Sequence, residues 1–163
     1  IWKKYLPSMS LEPTSAMCLF LNDGNTLEKS WNEPMYDLKN MEFTPTFWGA
    51  FDNTKLIGVN SGHMTLNRLY RSRGLFVFPE YRGFAIGQKL LMKTIAQAIH
   101  EKAIVCWSYP KKTAERSYHS QHFQSRGHSF NFQYEGDNIR AVKIFDEGGL
   151  VDCLNPKIKK QLP

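Results

Sequence analysis

The residues best suited to chemistry lie in one short loop, residues 81–87, which reads Tyr-Arg-Gly-Phe-Ala-Ile-Gly. Small residues at positions 83, 85 and 87 let a ligand approach the backbone closely. A helical pattern begins at Ile86, and the N–H groups of a helix's first turn have no acceptor within the helix. With Arg82 beside them and the positive end of the helix dipole behind them, these N–H groups predict an anion site suited to a diphosphate.

Two elements must position this loop. A buried strand, Leu75 to Phe78, leads into it through Pro79, and an amphipathic helix leaves it. The apolar residues of that helix recur at helical spacing and predict its buried face: Ile86, Leu90, Leu91, Ile95, Ala98 and Ile99.

The run Val77-x-Pro79-x-x-Arg82-Gly83-x-Ala85-Ile86-Gly87, followed by this helix, resembles motif A of the GCN5-related N-acetyltransferase (GNAT) superfamily. The resemblance implies that the loop holds the pyrophosphate of acetyl-coenzyme A. Ala85 replaces the family's commoner first glycine, at little cost if its φ is negative. The implied cofactor-binding residues of the loop are Arg82, Gly83, Phe84, Ala85, Ile86, Gly87 and Gln88.

Hydrophobic patterning elsewhere predicts an order that is similar to the GNAT arrangement. The predicted strands are 16–21, 47–51, 56–64, 69–78, 104–109, 129–134 and 139–145, with a weakly helical region at 26–41 and helices at 86–102 and 113–125. The resemblance implies an α/β (α+β) fold, with a mixed, mostly antiparallel central sheet of six to seven strands flanked by helices. We expect one domain over residues 1–163, with peripheral segments at 1–15 and 148–163.

The resemblance further implies a splayed pair of strands, 69–78 and 104–109, with the pantetheine arm between them. Backbone groups of Phe76, Val77 and Phe78 would pair with the amides of the arm. One N–H near Phe78 would stabilise the oxyanion formed when an amine attacks. The side chains of Phe76 and Phe78 are expected to pack in the core.

The family pattern Asn-x-x-Ala-x-x-x-Tyr supplies a proton donor for the leaving thiolate. Counting forward from strand 104–109 places Lys111, Ala114 and Tyr118 at the asparagine, alanine and tyrosine positions of the pattern. Counting back from Gly127 places Phe123 at the tyrosine position instead. We favour Tyr118, because a phenol donates a proton and a phenyl ring does not. Lys111 would then contact a phosphate of the cofactor.

The general base is less evident. The family often uses a carboxylate on the strand entering motif A, but residues 69–73 contain no acid. His63, on the preceding strand, is a candidate because its unshifted pKa is close to neutral. Deprotonation through water is an equal alternative.

Composition and charge restrict the functions that remain possible for the chain. The net charge is +6, with ten Lys/Arg against three acids in residues 68–116 and five acids against two lysines in residues 22–42. The basic residues are thus concentrated around the loop at 81–87, which favours a polyanionic cofactor over nucleic acid. No apolar run is long enough to cross a membrane. Three widely spaced cysteines predict neither disulfides nor a metal site, and a reduced cytoplasmic location follows.

The sequence therefore predicts an N-acetyltransferase that moves an acetyl group from acetyl-CoA to a primary amine by direct attack. The acceptor would be a small-molecule amine or a peptide amine, and acidic residues 22–42 favour a cationic one. The oligomeric state stays open, with a homodimer among the options. Two rival functions are a non-catalytic coenzyme A-binding module and a nucleic-acid-binding α+β domain.

Overall fold

The computed structural model describes residues 8–14, 40–132 and 136–146, which form seven strands and two α-helices. The strands are β1 (Met9–Thr14), β2 (Thr46–Asp52), β3 (Lys55–Thr65), β4 (Leu69–Val77), β5 (Val105–Ser108), β6 (Gln124–Phe132) and β7 (Gly136–Ile144). The helices are α1 (Ile86–His100), between β4 and β5, and α2 (Lys112–Ser120), between β5 and β6.

The seven strands form one sheet in the order β1-β2-β3-β4-β5-β7-β6. Neighbouring strands are antiparallel except for β4 and β5, which are parallel. A parallel pair needs a crossover connection, and α1 provides it. The predicted mixed, mostly antiparallel sheet of an α+β fold is confirmed.

Both helices pack against the same face of the sheet. On β3, Asn60 donates a hydrogen bond to Thr94 of α1, so the even-numbered residues around it face the helices. Tyr118 of α2 belongs to the same buried cluster as Leu91 of α1. Because successive strand residues alternate between faces, Val59 points to the opposite side, where it packs with Phe47 and partly buried rings.

The buried stripe of α1 differs at one point from the predicted one. Ile99 is 57% exposed, whereas Thr94 is fully buried. Successive helical residues turn by about 100°, which places Thr94 in the middle of the arc that Ile86, Leu91 and Ala98 define, and Ile99 beyond its edge.

Two boundaries were predicted wrongly. Residues 9–14 were not among the predicted strands but form β1, which lies at the sheet edge, where Pro13 is tolerated because one side of an edge strand needs no N–H. The second helix ends at Ser120 rather than Ser125. The N–H groups of His122 and Phe123 bond back to His119 and Tyr118, and His122 has a φ of 63°, which closes the helix.

The closing hairpin also begins earlier than predicted. The strands predicted at 129–134 and 139–145 begin at Gln124 and at Gly136 instead. The predicted strand at 16–21, residues 26–39 of the predicted helical region and the tail from 148 lie outside the described residues, and residues 40 and 41 are not helical.

We predict that α1 is anchored by Leu91 and not by its neighbour Met92. Leu91 is fully buried and Met92 is 54% exposed. Truncating Leu91→Ala should lower the free energy of unfolding by about 2–5 kcal/mol, because it removes apolar contacts and leaves a cavity. The matched change Met92→Ala should cost less than about 1 kcal/mol. Urea denaturation measures both, and equal losses would contradict the packing.

Candidate functional site

The site begins where β4 and β5 part. The two strands pair only at Leu69↔Val105, Tyr70↔Cys106 and Arg71↔Trp107. After these pairs β5 ends at Ser108, whereas β4 continues to Val77. Residues 72–77 therefore have no partner on β5, and the predicted splayed strand pair is present.

The backbone of β4 does not turn all three predicted residues towards this gap. The N–H of Phe78 donates to the carbonyl of Ile57 at 3.0 Å, so it faces β3 and is not available to a ligand. Backbone groups alternate along a strand, so Phe76, which pairs with Val59, also faces β3, and Val77 faces away from it. The expected oxyanion contact from an N–H near Phe78 would therefore not come from Phe78 itself, and of the three residues only Val77 faces the gap. The rings of Phe76 and Phe78 do pack together, edge to face, at 5.4 Å.

The loop after β4 presents its backbone openly. Gly83 has a φ of 89°, and a Cβ built on it would meet nothing within 4 Å. The first residue to donate back along α1 is Lys89, to the carbonyl of Ala85, and the Ala85 side chain provides no cap. The N–H groups of Ile86, Gly87 and Gln88 therefore precede the first intrahelical donor.

Ala85 has a left-handed conformation, with φ 60° and ψ 23°. The condition under which an alanine would cost little, a negative φ, is therefore not met. A left-handed non-glycine residue costs roughly 1–2 kcal/mol. This strain explains why a glycine would suit the position better, and it lies within the loop that was predicted to bind a ligand.

Arg82 and Gly87 fix the loop to its surroundings. The Nε–H of Arg82 donates to the carbonyl of Val77 at 3.1 Å, which holds the exposed guanidinium beside the end of β4. A Cβ on Gly87 would lie 3.0 Å from the Oγ of Ser117, so glycine allows the first turn of α1 to approach α2. Lys111, half-buried, lies at the N-terminal boundary of α2, and its carbonyl accepts from Ala114 and Glu115.

Tyr118 of α2 contacts β4 beside the gap between the strands. Its side chain is 1% exposed, and its hydroxyl lies 2.8 Å from the Oγ of Ser72, the first β4 residue beyond the last β4–β5 pair. Phe123 lies after the helix and packs its edge against the Tyr118 ring at 5.0 Å. Of the two alternatives for the family tyrosine, only Tyr118 has a hydroxyl, and that hydroxyl contacts β4.

Sequence reasoning missed the polar residues behind Tyr118. Asn60 donates through Nδ2 to Ser72 at 3.1 Å and to Thr94 at 2.7 Å, and all three side chains are buried. The signal was the alternation of β3, which places Asn60 on the same face as Gly58 and Gly62, towards the helix. A polar residue on a core-facing position indicates a buried hydrogen-bonding network.

His63 lies on the other face of the sheet. It pairs with Arg71 across β3 and β4, and its Nδ1 lies 2.9 Å from the carbonyl of Met64. Burial lowers the pKa of His63 from 6.5, and the positive charges of Arg71 and Arg73 lower it further. The imidazole is thus neutral at pH 7, but the structure does not bring it onto the same face as Tyr118.

The described part of the chain contains neither a metal-binding cluster nor a membrane-spanning helix. No group of three or more His, Cys, Asp or Glu side chains converges there, and His119 instead bonds the Oγ of Ser125 at 3.1 Å. None of the helices in the described ranges is long and apolar enough to span a bilayer.

The architecture therefore combines two parting parallel strands with an open loop at the start of α1. The model of the acetyltransferase (GNAT) family matches residues 16–139. The chain belongs to this family of acetyltransferases, which confirms the resemblance. No curated protein sequence matches the chain.

Solved structures share the fold at low identity. NAA60 from Arabidopsis thaliana, in complex with acetyl-CoA, is 14% identical with a TM-score of 0.68, over 84% of this chain and 98% of that one. A GNAT-family acetyltransferase from Staphylococcus aureus Mu50 is 18% identical with a TM-score of 0.64, over 85% and 99%. An acetyltransferase from Streptococcus agalactiae 2603 is 17% identical with a TM-score of 0.62, over 85% and 99%.

We predict that Cys106 is unreactive in the folded protein. Its side chain is fully buried, and burial raises the pKa of its thiol to about 12. At pH 8 only about one thiol in ten thousand would then be ionised, against about a quarter in an unfolded chain, and the thiolate is the nucleophile. Mass spectrometry after iodoacetamide treatment should find Cys106 modified in urea but not in buffer. Fast labelling in buffer would contradict the packing of β5.

Proposed function

We propose that this protein is an acetyl-CoA-dependent N-acetyltransferase that transfers the acetyl group to a primary amine by direct attack, with both substrates bound. The observation that carries the proposal is the position of the Tyr118 hydroxyl, 2.8 Å from Ser72 at the point where β4 and β5 part. In this position the hydroxyl would be a proton donor beside the gap, and the loop at 82–88 would supply an anion site at the end of β4.

The residues present fit coenzyme A. The open backbone at Gly83 and the first-turn N–H groups of α1 suit a pyrophosphate, with the Arg82 guanidinium beside them. Val77, on the edge of β4 that faces the gap, suits an amide of the pantetheine arm. Lys111 at the start of α2 is proposed as a further phosphate contact. Similarity of fold to NAA60, which was crystallised with acetyl-CoA, supports this ligand.

When bound, acetyl-CoA supplies an activated thioester. The amine nitrogen forms a bond to the acetyl carbon, and the carbon–sulfur bond breaks with its electron pair on sulfur. Tyr118 donates its phenolic proton to that sulfur. The proton lost by the amine passes to water or to neutral His63, and a proton from solvent restores the phenol. The products are the amide and free thiol, and the enzyme is unchanged.

Direct attack is favoured over an acetylated enzyme. A covalent route needs an ionised, accessible nucleophile, and Cys106 is fully buried with a pKa raised to about 12. Of the three cysteines, Cys18 and Cys153 lie outside the described residues.

We propose a small-molecule amine or a peptide amine as the acceptor, one domain for residues 1–163, and a cytoplasmic location. The acidic segment 22–42, from which a cationic acceptor was inferred, is described only at 40–42.

We predict that Arg82→Ala weakens acetyl-CoA binding by about tenfold or more. A charge-assisted hydrogen bond contributes about 1.5–3 kcal/mol, and a tenfold change in Kd corresponds to about 1.4 kcal/mol. Arg68→Ala is the matched control, because Arg68 also donates to a backbone carbonyl, that of Lys102, at the opposite end of β4. Calorimetric titration with acetyl-CoA should show a change only for Arg82. Equal affinity in both variants would place the pyrophosphate elsewhere.

We predict that Tyr118→Phe lowers kcat by about 10²–10⁴-fold, the usual contribution of a general acid, with little change in acetyl-CoA affinity. Thiol release is measured with a panel of primary amines, from spermidine and lysine to short peptides with free N-termini. The wild-type protein should turn over at least one of them. Acetyl-CoA binding without turnover of any amine would favour the non-catalytic module, and full activity of Tyr118→Phe would exclude the tyrosine as the acid.

A further inference from the structure

The buried chain of hydrogen bonds behind Tyr118 has a fixed direction. It begins in α1, where the hydroxyl of Thr94 donates to the carbonyl of Leu90 at 3.2 Å. A hydroxyl has one proton, so Thr94 can only accept from Asn60, whose Nδ2 lies 2.7 Å away. The Asn60 amide has a second N–H, and Nδ2 also lies 3.1 Å from the Oγ of Ser72.

The opposite orientation of the Asn60 amide is unfavourable. In the observed orientation its Oδ1 is buried without a partner among the described residues. Exchanging the two groups would place the NH₂ group there, and two buried N–H groups would lose their acceptors instead of one carbonyl losing its donor. Each buried polar group without a partner costs about 1–3 kcal/mol. The observed orientation, in which Asn60 donates twice, is therefore the more stable one.

The direction of the last bond follows. Ser72 is 1% exposed and accepts from Asn60, so its own proton needs an acceptor. Among its described contacts the acceptor is the hydroxyl oxygen of Tyr118, at 2.8 Å. If Tyr118 donated instead, the Ser72 proton would be buried without an acceptor, which again costs about 1–3 kcal/mol. Ser72 therefore donates, and Tyr118 keeps its proton for another acceptor.

We infer that Asn60 and Ser72 are positioning residues of the acetyl transfer, which direct the proton of Tyr118 away from the protein core and towards the leaving sulfur. This inference rests on the proposed function, in which Tyr118 is the general acid. A donor on the phenol oxygen also stabilises the phenolate that forms when the proton leaves. Buried bonds that run in one direction polarise one another, so Asn60 acts on Tyr118 through Ser72.

A purely structural role for the same network makes a different prediction. In that case, the loss of kcat in each variant would follow its loss of thermal stability, whichever member of the network is changed. Thr94→Val is the matched control, because it removes the far end of the chain but leaves the bond from Asn60 to Ser72. Ser72→Ala removes the donor to Tyr118, and Ser72→Thr retains it.

We predict that Ser72→Ala lowers kcat by about three- to tenfold with KM for acetyl-CoA unchanged, the loss expected for one hydrogen bond to the reacting group. Ser72→Thr should restore most of kcat, and Thr94→Val should lower the melting temperature with kcat within about twofold of wild type. In a Tyr118→Phe background, Ser72→Ala should have no further effect on kcat, because it acts through the phenol. The assay uses acetyl-CoA and the amine of the panel with the fastest turnover.

Asn60→Asp reverses the direction of the hydrogen-bond chain with almost no change in the shape of the side chain. An ionised carboxylate only accepts, so Ser72 must donate to it and accept from Tyr118, which turns the phenolic proton inwards. The kcat of this variant should fall below that of Ser72→Ala, while calorimetry shows unchanged acetyl-CoA affinity. Should Asn60→Asp fail to fold, the three variants at Ser72 and Thr94 decide the question.

Failure of this inference differs from failure of the proposed function. A wild-type protein that acetylates an amine, with equal kcat losses in Ser72→Ala and Thr94→Val, would overturn the positioning role alone. If no amine is acetylated, the proposed function fails first. The network is then tested by NMR of protein labelled with ¹³Cζ-tyrosine, which measures the ionisation of Tyr118. Loss of the Ser72 donor should then raise the pH midpoint of Tyr118 ionisation in Ser72→Ala but not in Thr94→Val, and equal midpoints would overturn the inference.

Discussion

The site depends on the early end of strand pairing along one edge of β4. β5 pairs with residues 69–71 and ends at Ser108, whereas β4 runs on to Val77. Backbone groups that are removed from water without partners cost about 1–3 kcal/mol each, so this edge favours a ligand that carries amides of its own. The same parting of the strands opens the space in which Ser72 and the Tyr118 hydroxyl meet. One feature of strand pairing therefore positions both the edge proposed to bind the ligand and the proposed proton donor.

The loop at the end of β4 concentrates local strain where the anion is proposed to bind. Ala85 is held in a left-handed conformation, which costs roughly 1–2 kcal/mol, and Gly83 also has a positive φ. The cost is offset by the burial of α1 directly after the loop, where Ile86, Leu90 and Leu91 are 2% exposed or less. Because the helix is anchored by its core face, its first-turn N–H groups stay directed at the loop. Packing at a distance from the ligand thus preorganises the backbone donors.

The sequence predicted those parts of the site that depend on local spacing. The choice of Tyr118 came from the family pattern and stays a prediction, whereas the loop at 82–87 and the helix after it follow from distances along the chain. The backbone directions of Phe76 and Phe78 did not, because β4 has a bulge between Arg73 and Phe76 that changes which residues face β3. The network of Asn60, Ser72 and Thr94 joins three elements far apart in sequence, and only the register of β3 against β4 and α1 brings them together. The end of α2 was missed because His122, not a glycine, adopts the left-handed conformation that closes it.

The two faces of the sheet at the parting strands offer different chemistry. On the helix side, Tyr118 lies among buried neutral groups, with its hydroxyl 2.8 Å from the Oγ of Ser72. On the other side, His63 lies beside Arg71, whose guanidinium stands 5.0 Å from the Trp107 ring centroid, and the nearby positive charges favour the neutral imidazole. In the proposed mechanism, a ligand between β4 and β5 would separate these faces, so a proton could be delivered from one side and removed on the other without the two groups neutralising each other. The proposed acid and base would need no hydrogen bond between them. Their separation by the sheet would allow each to keep the protonation state that its proposed role requires.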